Sequence, residues 1–493
     1  MPGARTPAPG SPPSTLIAAT LGLLAVRALV ATSTGLTEDE AYYRLWGLAP
    51  ALSYLDHPGM TGWLIAAGRA IAGDTPLGVR LAAVLAPVIG TVLLWRSAFI
   101  LFDHNIATRA AWISLAMPLL EVGGVIITPD TPSVLAWGLT GWAMAELYRS
   151  GNARWWLLVG LFAGLGLTSK YTNLLAAPGI VLWLLLTARN RAWMFRWEPW
   201  AGLGLAALGA VPPLLWNWQH HWASFSKQFG RVGAGEGLTY RFLGEFAGGL
   251  FGLISPAIAV LAAIGIWRAL KAARRDFNGP EALLLCSILP LGGYLLIHAL
   301  HDRVQANWPA PLYPALAIFA ALALAGGPVW LARLNRLALP MGFAMTGLIF
   351  LHVLHPLVHL SGDQDPTAQM RGWSGFAAAV ESKRKAVGAR WIATSSYGTT
   401  ASLAYASQGA APVVQLNERI RYANLPPVTP GEPKGPALYV ELQRRAEPSL
   451  LHQRFAKVVD LGTLDRSDSG GTLDTYALFL ASEPTRPPLD PSE

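Results

Sequence analysis

Carboxylates, histidines and cations able to take a proton or hold an anion gather at a few points of an otherwise apolar chain of 493 residues. Thr37-Glu38-Asp39-Glu40-Ala41-Tyr42-Tyr43 is followed by Asp56-His57-Pro58. Asp130 stands between prolines in Thr128-Pro129-Asp130-Thr131-Pro132, and Lys170 in Ser169-Lys170-Tyr171. His298, His301, Asp302 and Arg303 precede Gln305-Ala306-Asn307-Trp308-Pro309. Taken singly, each has a plain alternative. Asp130 could cap a helix, Lys170 could snorkel to an interface, and His301 and Arg303 could be ordinary loop residues. Asp39 and Glu40 could open an amphipathic helix, where acids suit the positive end of the dipole. Together they fall on one side of the predicted membrane, which the single alternatives leave unexplained. Glu121 differs: it lies inside a predicted span, about two and a half turns before Asp130, and takes a supporting role at most.

The elements that must carry these residues follow from composition. Hydrophobic residues make up 53% and charged residues 13%, about half the usual charged share. The 20 tryptophans suit a lipid–water boundary. The net charge of +8 does not point to nucleic acid, because the basic residues are spread over short loops rather than one patch. Cys286 is the only cysteine, so no disulfide forms within the chain. Residues 1–14, rich in Pro, Gly and Ala, are expected to be a disordered tail. About eleven transmembrane helices are predicted, at 15–33, 77–101, 110–128, 132–148, 155–169, 172–188, 200–217, 245–267, 281–300, 309–331 and 337–360. The first run resembles a signal peptide, but the many later spans favour an uncleaved helix. With the N-terminus in the cytoplasm, the inner loops carry Arg109, Arg149, Arg154, Arg189, Arg191, Arg196, Arg268, Lys271, Arg274, Arg275, Arg333 and Arg336, the expected positive-inside bias. The outer side then receives the loop 34–76 and everything from residue 361. In that last part, strands are predicted at 390–394, 412–416, 437–441 and 476–480, with a helix at 399–407. The fold class is thus a polytopic α-helical membrane protein, 15–360, with a small C-terminal α/β domain, 361–493.

The first-loop acids, Asp56-His57-Pro58, the Thr-Pro-Asp-Thr-Pro segment, Ser169-Lys170-Tyr171 and Asn307-Trp308-Pro309 come in an order and spacing that resembles one family. These are bacterial glycosyltransferases related to dolichyl-phosphate-mannose–protein mannosyltransferase and to the lipid A aminoarabinose transferase, with the glycosyltransferase C architecture. The resemblance covers most of residues 15–360, and its strength lies in the combination. It implies a multi-pass protein of the bacterial inner membrane. It also implies a polyprenyl-phosphate sugar donor and an acceptor outside the cytoplasm: a glycolipid such as lipid A, a polysaccharide or a protein.

Under that resemblance Asp39 is the expected general base, with Glu40 its close competitor. Lys170, with Arg303 and His301, is expected to bind the donor phosphate. Asp56 and His57 would shape the acceptor side, Asp130 would orient the sugar or hold the first loop, and Tyr171, Asn307 and Trp308 would line the substrate site. A single displacement would invert the anomeric centre. No cofactor is called for; a divalent ion beside Asp39, Asp56 and His57 stays open, though no ligand spacing demands one. The competing reading is a transporter or flippase of lipid-linked sugars, for which internal repeats would be the signal, and none stands out.

Overall fold

The computed structural model describes residues 10–232, 237–325, 328–358, 360, 362–426 and 433–485. Most of the tail expected at 1–14 lies outside them. By contacts the chain divides into two units. One comprises residues 1–29, 56–60 and 82–349; the other comprises 30–55, 61–81 and 350–493. The division crosses the expected domain line, since most of the first outer loop groups with the C-terminal part.

The first unit is helical. Among the described residues of the whole chain, six helices are long and apolar enough to cross a membrane, seven if the pair Tyr171–Leu186 and Ala188–Phe195, bent by 117°, counts as one span. Several predicted spans are broken by proline chemistry. The span expected at 245–267 is two helices, Arg241–Ile254 and Pro256–Arg275, parted at Ser255 with φ 83°. Pro256 lacks an N–H and biases the preceding residue away from helical dihedrals. The span expected at 110–128 is His104–Leu115 followed by the short Pro118–Val122, parted before Pro118 for the same reason. Hydropathy averaged over twenty residues does not register either break. By contrast, Asp130–Ser150 ends where expected, at Gly151 in the left-handed conformation with φ 64°.

Small residues let these helices approach closely. Gly160 and Gly164 of helix Trp155–Leu167 abut Gly202 and Gly209 of helix Trp197–Gln219, backbone against backbone. Gly265 of Pro256–Arg275 meets the backbone of Phe319 on Tyr313–Ala323 in the same way.

The second unit holds a five-stranded sheet of order β2-β1-β3-β5-β4, where β1 is Trp391–Thr394, β2 Val413–Gln415, β3 Ala437–Leu442, β4 Phe455–Asp468 and β5 Gly471–Pro484. β1, β2 and β3 are parallel, and β4 and β5 form an antiparallel hairpin. Alternate side chains go to opposite faces. Ile392, Leu438 and Val440 pack with Trp373, Phe376 and Leu403 on one face; Trp391, Ala393 and Tyr439 pack with Leu451 and Phe455 on the other. The expected strands and the helix at 399–407, observed as Tyr397–Ala406, are present; β4 was not anticipated. Also in this unit, Arg44 and Arg69 hold Asp74, fastening helix Glu38–Leu48 to Met60–Ala72. The Arg44 guanidinium, with Arg69, keeps the Asp74 carboxyl below the usual range. This clamp contributes at neutral pH and is lost as pH falls through that lowered value.

A Gly160→Leu substitution forces its helix off Gly202 and is expected to lower the unfolding temperature of the detergent-solubilised protein clearly. Gly204→Ala, on the partner helix Trp197–Gln219 but facing open space, should leave it unchanged or slightly raised. Equal effects of the two would remove close helix approach as the cause.

Candidate active site

In the helical unit, three helix ends bring distant polar residues together. Asp130 opens helix Asp130–Ser150, and its backbone N–H donates to Thr128 Oγ1 at 3.2 Å. Lys170 follows helix Trp155–Leu167 in an extended conformation before the turn Tyr171–Leu175. Asn307 precedes the turn Ala310–Leu312. Lys170 Nζ donates to Asp130 Oδ1 at 2.7 Å, and Asn307 Nδ2 donates to Asp130 Oδ2. Beside them Asn173 donates to Ser133 Oγ at 2.6 Å. Lys170 and Asp130 are both buried. The capping reading of Asp130 therefore fails: Pro129 is the residue at the cap, and the two Asp130 carboxylate oxygens accept from Lys170 and Asn307. The snorkelling reading of Lys170 fails as well, because the ammonium is drawn inward.

Asp130 and Asn307 also line a cavity of about 320 Å³. Apart from them its walls are mostly apolar, built by Leu94, Leu119, Val134, Ile180, Leu284 and Ile318 among others. It follows helix Asp130–Ser150 inward as far as Met144, about 20 Å at the helical rise. Glu121 is on the same wall and pairs with the fully buried Arg27 at 2.8 Å, so this intramembrane acid anchors the first helix.

Other expected residues of this unit sit in separate arrangements. Asp56 Oδ1 pairs with Lys227 Nζ at 3.2 Å, and Gln228 donates to the Asp56 carbonyl at 2.7 Å, with His57 half-buried beside them. Tyr171 Oη is 2.9 Å from Ser224 Oγ and accepts from Asn217, which in turn accepts from the Phe225 N–H at 3.1 Å. Trp308 packs on His298 with ring centroids 5.1 Å apart. Arg303 and His301 are exposed and do not join the Lys170 cluster in any described contact. Arg303 pairs with Glu245 at 2.8 Å, and Glu245 also with Arg241; His301 Nδ1 bonds the Ile297 carbonyl. The three cations expected from sequence to bind the donor phosphate thus keep separate partners: Asp130 for Lys170, Glu245 for Arg303 and the Ile297 carbonyl for His301. Glu245 answers Arg303 because an amphipathic helix, Arg241–Ile254, lies at this edge.

In the second unit the two adjacent first-loop acids have opposite environments. Thr37 and Glu40 form a reciprocal capping box on helix Glu38–Leu48. Glu40 is fully buried, and Arg80 grips it with two bonds of 2.8 and 2.6 Å. The remaining Arg80 donor bonds the Ala31 carbonyl and Thr34 Oγ1. Glu40 thus holds this helix through Arg80 and the capping box. Asp39 is exposed and accepts from Tyr397 Oη at 2.9 Å, while Glu38 meets Arg445 at 3.2 Å. Sequence reasoning missed Arg80, Tyr397 and Lys227; only the Thr-x-x-Glu capping pattern hinted that Glu40 was spoken for. Among the described residues no group of three His, Cys, Asp or Glu is arranged to hold a metal ion.

Removing one partner of a buried ion pair strands the other charge, at about 3–5 kcal/mol. Arg80→Ala should therefore lower the unfolding temperature sharply, and Asp39→Ala hardly at all. Similar stability losses for the two would contradict this division of roles.

Comparison with known proteins agrees with the resemblance drawn from the motifs. A family model for dolichyl-phosphate-mannose-protein mannosyltransferase matches residues 56–216. The lipid A galacturonosyltransferase RgtD of Rhizobium johnstonii is 24% identical over 310 residues, 60% of this chain and 60% of that protein. An undecaprenyl phosphate-alpha-4-amino-4-deoxy-L-arabinose arabinosyl transferase of Pseudomonas aeruginosa is 31% identical over 173 residues, 32% of this chain and 29% of its own length. The matches thus span about three-fifths or less of these curated relatives. Among solved structures, ArnT from Cupriavidus metallidurans bound to undecaprenyl phosphate superposes with a TM-score of 0.66 at 14% identity, covering 94% of this chain and 98% of that one. The fold is therefore the one ArnT adopts, helical with a small C-terminal sheet domain, and these matches agree with the resemblance drawn from the motifs.

Proposed function

We propose that this chain transfers a sugar from a polyprenyl-phosphate donor to an acceptor outside the cytoplasm, most closely a glycolipid of the lipid A class. The observation that carries this reading is the buried Lys170–Asp130–Asn307 cluster at one end of a long, mostly apolar cavity. An anionic head on an apolar tail has that shape of demand. The named activities of RgtD and of the aminoarabinose transferases, both acting with or on such lipids by their names, point the same way. The cavity's lack of a continuous polar lining among the described residues gives no path for a sugar through the bilayer, which disfavours the transporter reading.

In the proposed reaction the acceptor hydroxyl attacks the anomeric carbon and the bond to the donor phosphate breaks, inverting that centre. Asp39 takes the hydroxyl proton. Lys170 stabilises the phosphate as it gains charge on leaving. An ammonium has three N–H donors, and Asp130 Oδ1 takes one. Asp130 and Asn307 fix the ammonium and contact the sugar; Asp56, His57, Tyr171 and Trp308 shape the acceptor side. The positive charge of the short loops supports an N-terminus in the cytoplasm and this chemistry on the outer face.

Purified chain in liposomes, given a polyprenyl-phosphate sugar and lipid A, should form a glycosylated lipid A detectable by mass spectrometry. Asp39→Asn should abolish transfer with folding intact; wild-type turnover in that variant would remove Asp39 as base. Lys170→Ala should raise the donor KM by at least about tenfold, the scale of one charged hydrogen bond. An unchanged donor KM would take Lys170 out of the phosphate site.

A further inference from the structure

A general base must hold its oxygen within a fraction of an ångström of the proton it takes. Asp39 is the second residue of helix Glu38–Leu48 and exposed, so the groups that contact its carboxylate decide its aim. The C-terminal α/β domain supplies a group built for that purpose. Tyr397, the first residue of helix Tyr397–Ala406, donates its hydroxyl to Asp39 Oδ1 at 2.9 Å.

Everything around Tyr397 is held. Glu441, at the end of β3 and fully buried, accepts from Ser395 N at 3.0 Å, Ser396 N at 2.8 Å, Ser396 Oγ at 2.9 Å and Thr399 Oγ1 at 2.6 Å. That one carboxylate nails the turn preceding Tyr397 to the sheet. The Tyr397 ring lies 5.0 Å from Tyr42 of the first-loop helix, and the Arg421 guanidinium covers both rings at 4.7 and 5.6 Å. Glu418 holds Arg421 in turn with bonds of 2.8 and 3.2 Å. The helices come this close because residue 398 is glycine: a Cβ there would collide with Glu38.

We propose that Tyr397 is a positioning residue for Asp39, so that the C-terminal domain aims the proposed base. This rests on the reading of Asp39 as the base. Tyr397→Phe keeps the ring, its tilted contact with Tyr42 and its Arg421 contact, and removes only the O–H. The variant should lose about tenfold or more in kcat, with the donor KM within about twofold of wild type and the unfolding temperature unchanged. Asp39→Glu moves the carboxylate by one methylene and should gain nothing from the hydroxyl, so adding Tyr397→Phe to it should cost little more. Wild-type kcat in Tyr397→Phe, with Asp39→Asn inactive, would overturn the positioning role and leave the base assignment standing. So would independent, multiplying losses in the double variant. Activity retained by Asp39→Asn would overturn both.

Discussion

A lysine ammonium and an aspartate carboxylate withdrawn from water each cost several kcal/mol, repaid only if they meet in good geometry with their remaining bonds filled. In the helical unit Lys170 meets Asp130 at 2.7 Å, and Asn307 fills the second carboxylate oxygen. The three come from positions 40 and 177 residues apart. If any of the three segments moves, a buried charge is left unmatched. The start of helix Asp130–Ser150, the exit of Trp155–Leu167 and the loop before Ala310 are thereby locked to one another. Asp130 and Asn307 line the cavity, whose apolar walls alone would not specify where the helices end, because lipid is as apolar as leucine.

The same condition separates two neighbouring acids in the other unit. On helix Glu38–Leu48, Glu40 belongs to the inward face with Tyr43 and Gly47, while Asp39 lies about 100° around the axis and outside. Inward, a carboxylate survives only against a cation, and Arg80 answers it with every guanidinium nitrogen placed. Outward, Asp39 keeps contact with water and with Tyr397. One acid holds the helix and the next is presented by it.

How much of this could be read beforehand depends on the range of each interaction. Strands β1, β2 and β3 were anticipated because parallel strands buried on both faces show as short apolar runs. β4 was not, since it is an edge strand carrying Lys457, Asp460, Asp465 and Asp468 with mostly exposed positions. The break at Ser255 follows from Pro256 but vanishes in a twenty-residue average. Asp130, Lys170 and Asn307 stood out because polar groups at apolar helix ends are costly; their pairing did not, because nothing local encodes it. Arg303 was assigned to the phosphate because Glu245, 58 residues earlier, gave no sign of meeting it. Arg80 and Tyr397 have no unusual neighbours in sequence, and only the fold reveals what they hold.

In the proposed reaction, the donor's physical nature explains why the polar cluster must carry the discrimination. A polyprenyl chain already dissolved in the bilayer gains little free energy on passing from lipid into an apolar cavity, because neither environment exposes it to water. Tail burial therefore holds any prenyl lipid about equally and contributes uniformly to ground state and transition state, which does not accelerate the chemical step. The phosphate is where the two states differ, since it gains charge as the sugar leaves. An ammonium fixed beforehand by Asp130 is a preorganised partner for that charge and needs no reorganisation when it appears. The ion pair that locks three helix ends is, in the proposed reaction, also the group that tells the leaving phosphate from the bound one.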